Sequence, residues 1–332
     1  MSKCNLCPRH CNADRTLAEG WCGSDDRIHV SSIVIHKGEE PPVSGHKGIV
    51  NLFFPSCNLQ CIYCQNHEIS AKGTQGTAMS LDEVCDSIAE LLPLSEGNLG
   101  FVSPTHFVPQ MVMIVKELRR RGHNPVIVYN SNCYDLPETI RSLEGIVDVW
   151  LPDFKYSDDY LAEEYSSAPG YSTFALSALK AMVHQCGVTL QTDDNGIAQR
   201  GVIVRHLVLP GQVQNSIGVL KILAEEVSPN LHISLMSQYY PPENNVRFSN
   251  LDFRIAGATQ NSSEQIAIRK SHKSQFAIRK SLLRSITRIE YKTVLEAFHF
   301  LGFTHGWLQD YSSHLSYRPN FSKNDPFNLE FE

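Results

Sequence analysis

The chain has 332 residues, of which 42% are apolar and 19% are charged, a composition typical of globular proteins. Its 29 Lys and Arg against 35 Asp and Glu give a net charge of −6, which argues against binding to nucleic acid or to an anionic membrane through overall charge. No stretch approaches the roughly 18 uninterrupted apolar residues of a membrane-spanning helix. The first ten residues also lack the apolar core of a signal peptide. We therefore expect a cytoplasmic protein with no membrane association and with nucleic acid disfavoured as a partner.

Residues 1–46 form a cysteine-rich N-terminal arm. Its four thiols, Cys4, Cys7, Cys11 and Cys22, follow the spacing C-x2-C-x3-C-x10-C. Disulfide scaffolds belong mainly to small secreted chains, so clustered cysteines in a chain of this size indicate metal instead. Four thiols can close a metal site, and the spacing fits either an iron–sulfur cluster or a structural zinc. An ordinary segment of reduced thiols is the alternative. Residues 28–34, later in the arm, have a strand-like pattern.

Residues 47–240 alternate short apolar runs with amphipathic stretches. The runs are nearly continuous, as expected for strands buried on both faces of a parallel sheet. They lie at residues 49–54, 99–102, 126–129, 147–151, 202–209 and 233–236. Helix signals separate them, including a capping box from Ser80 to Glu83 and a C-terminal stop at Gly122. Strand–helix alternation of this kind predicts an α/β crossover fold, in which active sites collect after the carboxyl ends of the strands.

Three cysteines follow the first of these strands directly. Cys57, Cys61 and Cys64 have the spacing C-x3-C-x2-C on one loop. Thiolates are the usual ligands of iron–sulfur clusters, which normally take four. A loop that supplies three leaves one iron of a [4Fe-4S] cluster open to a small molecule. The alternative, a structural zinc, prefers four protein ligands.

This loop resembles the C-x3-C-x-aromatic-C signature of radical S-adenosylmethionine (SAM) enzymes, with Tyr63 at the aromatic position. The resemblance implies a partial (β/α)6 barrel with a cysteine-rich N-terminal extension. It implies that Cys57, Cys61 and Cys64 hold a [4Fe-4S] cluster and that Tyr63 lies near the adenine of SAM. It also implies that reduction of the cluster cleaves SAM to a 5′-deoxyadenosyl radical, which abstracts hydrogen from a substrate.

Further segments are similar to proteins related to pyruvate formate-lyase activating enzyme. They lie at residues 39–45, 57–61, 65–66, 151–156, 204–211 and 237–241. By this resemblance, Asp153 and Lys155 match an Asp-x-Lys motif that contacts SAM in glycyl-radical activases, and a cation after a strand suits the SAM carboxylate. A surface ion pair is the alternative for these two residues.

One segment departs from the family pattern. Many members carry Gly-Gly-Glu after the second strand, where it supports the SAM amino group, whereas this chain has Ser-Pro-Thr-His at 103–106. Thr105 is the candidate cofactor contact there. No catalytic residue is assigned, but His106 and His206 are candidates for moving protons because imidazole titrates near neutrality. Cys133, after the third strand, is a candidate hydrogen-atom donor or substrate ligand. A packed structural role is the alternative for all three, and Cys85 and Cys186 are expected to fill the core.

The remaining segments are a polar loop with a basic insertion at 241–286, a C-terminal helix at 287–310 and a tail at 311–332. The insertion contains a short tandem repeat, 265–271 against 275–281. Its basic stretch, 269–288, is expected to be a solvated insertion, with docking of an acidic protein or RNA as the alternative.

The function expected from this resemblance is that of a radical SAM oxidoreductase similar to glycyl-radical activating enzymes. The expected partners are SAM, an electron donor such as flavodoxin or ferredoxin, and a protein substrate. Radical modification of another protein, an RNA or a metabolite is the enzymatic alternative. A structural metal-binding module is the alternative that is not an enzyme.

Overall fold

A computed structural model describes residues 3–242 and 280–315 together with positions 319, 321 and 326. Most of the predicted basic insertion and of the predicted tail therefore lies outside the described residues. The strands are β1 (His29–Val30), β2 (Ser32–His36), β3 (Ile49–Phe53), β4 (Thr77–Ala78), β5 (Asn98–Val102), β6 (Val126–Ser131), β7 (Val149–Pro152), β8 (Gln191–Thr192), β9 (Ala198–Leu207), β10 (His232–Met236) and β11 (Gly306–Leu308).

The helices lie mainly between the strands of the sheet. They are α1 (Pro41–Ser44), α2 (His67–Ser70), α3 (Leu81–Leu91), α4 (Val108–Arg120), α5 (Pro137–Arg141), α6 (Asp159–Ser166), α7 (Tyr171–Cys186), α8 (Val213–Glu226) and α9 (Arg288–Phe300). Within the described residues, no helix has both the length and the apolar content that crossing a bilayer requires.

Six parallel strands form the centre of the sheet. Strands β3, β5, β6, β7, β9 and β10 pair in chain order, each parallel to the next. All six coincide with predicted apolar runs, so the predicted α/β class is confirmed. Strand β2 adds antiparallel at one edge and β11 adds parallel at the other. The pairing path does not close within the described residues, as expected for a partial barrel.

Two local predictions need adjustment. The strand-like segment at 28–34 is two short strands, because β1 pairs with β4 while β2 pairs with β3. The C-terminal segment contains the predicted helix, α9, but it also supplies β11, which we did not predict. The predicted capping box is confirmed at Ser80 with Glu83, and a second capping box, Thr287 with Glu290, begins α9.

Alternation along the strands separates the two faces of the sheet. Val50 and Leu52 of β3 pack with the helices in the large core cluster. Ile49 belongs to a smaller cluster on the opposite face, the inner apolar cluster, whose members are Val43, Ile49, Val128, Val149, Leu151, Ala198 and Ile203. Val43 comes from the short helix α1, which packs against this inner face. Further along three of these strands, Phe53, Asn130 and Arg205 continue the inward alternation and line a cavity.

Candidate active site

A cavity of about 600 Å³ opens on the inner face of the sheet. Its walls come from the carboxyl-end residues of the parallel strands and from the loops that follow them. The strands contribute Phe53, Val102, Asn130, Arg205, Leu207 and Met236, and Asp153 follows β7 directly. Four of these, Phe53, Asn130, Arg205 and Leu207, lie in strands whose earlier inward residues belong to the inner apolar cluster. The cavity therefore lies where α/β folds place their ligands.

The three predicted cluster ligands, Cys57, Cys61 and Cys64, line one wall of this cavity. Every one of their sulfurs lies within hydrogen-bond distance of a donor. Cys57 Sγ accepts from the Leu59 amide and from Asn132 Nδ2, both at 3.3 Å. Ser166 Oγ donates to Cys61 Sγ over 2.9 Å, and Ser70 Oγ lies 3.1 Å from Cys64 Sγ. Such donors stabilise thiolates and metal–sulfur centres.

Burial, together with the nearby Cys61 thiol, raises the pKa of the Cys57 thiol to about 12. A buried thiolate at this position therefore needs a compensating positive charge, which bound iron supplies. Within the described ranges, no group of three or more His, Cys, Asp or Glu side chains is arranged to hold a single metal ion. A cubane cluster holds its ligand sulfurs farther apart than one ion does. The set of three thiols with sulfur-directed donors fits a cluster better than a mononuclear site.

Two buried asparagines fix the cysteine loop. Asn58 Nδ2 donates to the backbone oxygen of Tyr134 over 2.7 Å, and Asn132 Nδ2 donates to Asn58 Oδ1 at the same distance. The backbone amide of Ile62 donates to the backbone oxygen of Tyr165 over 2.8 Å. Asn132, which was not a predicted site residue, follows β6 and therefore reaches the same rim as the cysteines.

Tyr63, the predicted adenine contact, lines the cavity and is 5% exposed. Its hydroxyl accepts a hydrogen bond from Tyr156 over 2.7 Å. The edges of the Tyr165 and Tyr239 rings pack around it, with centroids 5.9 and 6.3 Å away. These contacts hold the Tyr63 ring in one position beside the cysteines.

Asp153 and Lys155, the other predicted cofactor contacts, also line the cavity. Lys155 Nζ lies 2.8 Å from Asp153 Oδ2, and Arg205 Nε lies 2.6 Å from Asp153 Oδ1. Burial alone would raise the pKa of Asp153, but the charges of Arg205 and Lys155 outweigh it and lower the pKa. The pair is therefore a real ion pair, and it lies inside the cavity wall with both side chains 18% exposed.

Arg205 connects this pair to the floor of the cavity, the part that Glu39 and Glu40 line. Its Nη1 lies 2.9 Å from Glu39 Oε2, and its Nη2 donates to Asn130 Oδ1 over 2.7 Å. Burial would raise the pKa of Glu39, but the hydrogen bond with His36 and the charge of Arg205 lower it to about 2. Neither Arg205 nor Glu39 was a candidate site residue in the sequence, although both belong to segments that carry the family resemblance.

Gly100 leaves space for the Asn51 side chain, which donates a hydrogen bond to Glu39. Asn51 Nδ2 donates to Glu39 Oε1 over 3.0 Å. On the neighbouring strand, a Cβ at Gly100 would lie 2.1 Å from Asn51 Oδ1. Only glycine therefore fits at position 100 while Asn51 keeps this contact.

The remaining candidates lie outside the cavity lining. Thr105 and His106 are buried on the short helical segment after β5. His106 Nε2 lies 2.8 Å from the Pro55 backbone oxygen, and burial lowers the pKa of the imidazole to about 4. The structure thus places this segment behind the cysteine loop. From the same stretch, only Ser103 lines the cavity.

His206 and Cys133 face the helices. His206 follows the inward-pointing Arg205 and so points to the other face, where Nδ1 lies 2.7 Å from the Phe154 oxygen and Nε2 lies 2.9 Å from Ser216 Oγ. Burial lowers its pKa to about 4. Cys133 is fully buried with its Sγ 3.5 Å from the Ala175 oxygen of α7. These contacts are those of packed structural residues.

The N-terminal thiols come together in a segment without helix or strand. Cys4 is hydrogen-bonded to Cys11, and Cys7 lies beside Cys22 and Cys4. A Cβ at Gly20 would lie 3.4 Å from Cys22 Sγ and 3.5 Å from Cys11 Sγ. The thiols are not arranged as a site for a single ion. A second metal at these cysteines stays a prediction.

No protein-family model matches the chain. An uncharacterized protein of Methanocaldococcus jannaschii is 26% identical over 264 residues, which are 77% of this chain and 71% of that protein. Among solved structures, anSMEcpe with bound AdoMet has a TM-score of 0.46 at 12% identity, covering 78% of this chain and 64% of that one.

Two further structures are similar to parts of the chain. HydG, a maturase of the [FeFe]-hydrogenase, has a TM-score of 0.40 at 12% identity over 81% of this chain and 58% of that one. The radical S-adenosylmethionine methyltransferase TsrM from Kitasatospora setae has a TM-score of 0.42 at 13% identity over 65% of this chain and 42% of that one. The chain spans less than two thirds of each of these three solved proteins.

Proposed function

We propose that this chain is a radical SAM enzyme that binds a [4Fe-4S] cluster through Cys57, Cys61 and Cys64. The observation that carries the proposal is the wall of three thiols in a cavity at the carboxyl ends of a parallel sheet. Three protein ligands leave one iron for SAM, and each sulfur has a hydrogen-bond donor beside it. When bound, such a cluster supplies the electron for reductive cleavage of SAM.

The residues around the cavity offer complementary groups for SAM. Lys155 is a cation close enough to Cys61 for the two groups to interact electrostatically, and it suits the SAM carboxylate. Its pairing with Asp153 holds the ammonium in place. Ser103 and Asn130 line the cavity and offer oxygens for the SAM amino group, in place of the Gly-Gly-Glu motif. The buried Tyr63 ring provides a flat surface for the adenine.

The reaction class we favour is activation of a protein by hydrogen abstraction, as in glycyl-radical activating enzymes. Its support is the set of sequence segments that are similar to that family, including Asp153 and Lys155. Radical modification of another protein, an RNA or a metabolite is the second candidate. Electrons would come from a donor such as flavodoxin or ferredoxin. A structural metal-binding module is less favoured, because the three thiols line a cavity large enough for ligands.

The direct experiment is anaerobic reconstitution with iron and sulfide, followed by reduction with dithionite in the presence of SAM. We expect about four iron atoms at the site and release of 5′-deoxyadenosine. Cys57→Ser should abolish the release. Cys186→Ser is the matched control, because Cys186 lies at the end of α7, outside the cavity lining, and should retain full activity. A fully reconstituted chain that releases no 5′-deoxyadenosine would refute the proposal.

A further inference from the structure

The floor of the cavity contains two consecutive glutamates. Both line the cavity, and Glu40 is 8% exposed. Glu39 is fully engaged, with Arg205, Asn51 and His36 around its two oxygens. Glu40 differs, because its Oε2 is buried and has no hydrogen-bond partner among the described residues. A buried carboxylate oxygen without a donor is costly, so its presence in a ligand cavity calls for an explanation.

The two ionised carboxylates around the floor each have a cation of their own, whereas Glu40 has none. Asp153 and Glu39 have lowered pKa values and are ionised at neutral pH, and Lys155 and Arg205 offset them one for one. Glu40 is a third carboxylate. Its nearest cation is Arg205, whose Nη1 lies 4.0 Å from Glu40 Oε2 and already binds Glu39 at 2.9 Å.

The surroundings of Glu40 contain no further cation bound to it. Burial, together with the Glu39 carboxylate, raises the pKa of Glu40 above its usual value, although Arg205 and the Ser234 hydroxyl act in the opposite direction. His36 is directed at Glu39. Lys37 lines the cavity but is exposed and makes no ion pair with Glu40. The floor therefore contains a buried carboxyl group, Glu40, whose Oε2 has no hydrogen-bond donor and which has no cation of its own among the described residues.

We propose that the Glu39–Glu40 floor is the subsite for a positively charged nitrogen group of the substrate, an ammonium or a guanidinium, with Glu40 as its acceptor. An ammonium or guanidinium supplies the N–H donor and the compensating charge that Glu40 lacks. Above the floor, Phe53, Val102, Leu207 and Met236 form apolar walls that suit an aliphatic stem. Assigning this group to the substrate rests on the proposed function, in which SAM binds beside the cysteines.

The test uses n-butylguanidinium as the probe and n-butylurea as its neutral isostere, titrated calorimetrically into the full chain as purified and after reconstitution. We expect the cation to bind the wild type and to bind Glu40→Gln at least about tenfold more weakly. Glu90→Gln, an exposed position on α3, should bind it like the wild type. Butylurea should bind at least about tenfold more weakly than butylguanidinium, because it lacks the charge. Glu40→Asp, which keeps the charge, should retain part of the affinity and controls for misfolding of Glu40→Gln.

Equal affinity of wild type and Glu40→Gln, equal affinity for the urea, or no binding of the cation would overturn the proposal. Repeating the titration with saturating SAM separates the two sources of a cationic nitrogen. Undiminished binding assigns the subsite to the substrate, and competition by SAM would overturn that assignment. Because binding is also measured without the cluster, it is independent of SAM cleavage, so either proposal can fail while the other stands.

Discussion

Arg9 of the N-terminal arm donates from Nε to the backbone oxygen of Asn58, 2.9 Å away, in the middle of the cysteine loop. The same guanidinium reaches the backbone oxygens of Ser166 and Ser167 at the end of α6 and stacks on Trp21, with 3.6 Å from Cζ to the ring centroid. Its charge also acts on the Cys57 and Cys61 sulfurs. One side chain thus links the cysteine-rich arm to the proposed cluster site.

We expect Arg9→Gln to lower the reduction potential of the cluster. Removing a positive charge beside Cys57 and Cys61 disfavours the more negative reduced state. The expected shift is on the order of tens of millivolts, as follows from about 1 kcal/mol of charge–charge energy. The measurement is a redox titration followed by electron paramagnetic resonance. Arg120→Gln, on the exposed face of α4, is the control. An unchanged potential in Arg9→Gln would show that the guanidinium only ties the two segments together.

We expect Lys155→Gln to weaken SAM binding about tenfold, since it removes a charge-assisted contact to the carboxylate. Equilibrium dialysis of the reconstituted protein measures the dissociation constant. Lys180→Gln is the matched control, because Lys180 makes a surface ion pair with Glu226 at 2.9 Å and does not line the cavity. The assignment of Lys155 is wrong if both variants bind SAM like the wild type.

We predict that the N-terminal cysteines bind metal, either a second iron–sulfur cluster or zinc. The segment from residue 3 to residue 27 lacks helix and strand, so few backbone ladders hold it in place. Cys7→Ser should lower the metal content per chain and leave the metal at Cys57, Cys61 and Cys64 in place. Elemental analysis distinguishes iron from zinc. Equal metal content in Cys7→Ser and in the wild type counts against this site.

We expect the folded chain to lose stability as the pH falls from about 6.5 towards 4. Burial lowers the pKa of His106 and His206 to about 4, below the usual value near 6.5, so the unfolded chain binds more protons in this range. Each histidine then lowers the free energy of unfolding by about 2 kcal/mol between pH 7 and pH 5. Urea unfolding at the two pH values measures this change.

His206→Gln tests that assignment. The variant should be less stable at pH 7, because His206 bridges the Phe154 oxygen and Ser216 Oγ. Its loss of stability between pH 7 and pH 5 should be smaller than that of the wild type by about 2 kcal/mol. A variant with the same pH dependence as the wild type would mean that His206 does not contribute to it.

Much of the sheet could be predicted because strands buried on both faces leave continuous apolar runs, as in residues 49–54. Strand β11 has only three residues, Gly306–Leu308, and its place depends on pairing with β10 some 70 residues earlier, so no local pattern marks it. The two-residue alternation along β9 predicts that Arg205 and His206 face opposite sides of the sheet, so only one of them can point into the cavity.

The site residues also fall into two groups, those that a local motif identifies and those that only the fold brings together. Cys57, Cys61, Cys64 and Tyr63 lie on one loop, and their spacing identifies them. The network around Arg205 joins residues that are distant in the chain, since Glu39 and Arg205 are 166 positions apart. Such contacts depend on strand order and on the position of α1, neither of which a local motif contains.

The most direct test of the central claim is the electron paramagnetic resonance spectrum of the reconstituted, dithionite-reduced chain with and without SAM. If Cys57, Cys61 and Cys64 leave one iron open, SAM will change the g values of the reduced cluster, and Cys57→Ser will lose that response. A reduced cluster with the same spectrum in the presence and absence of SAM would contradict the account.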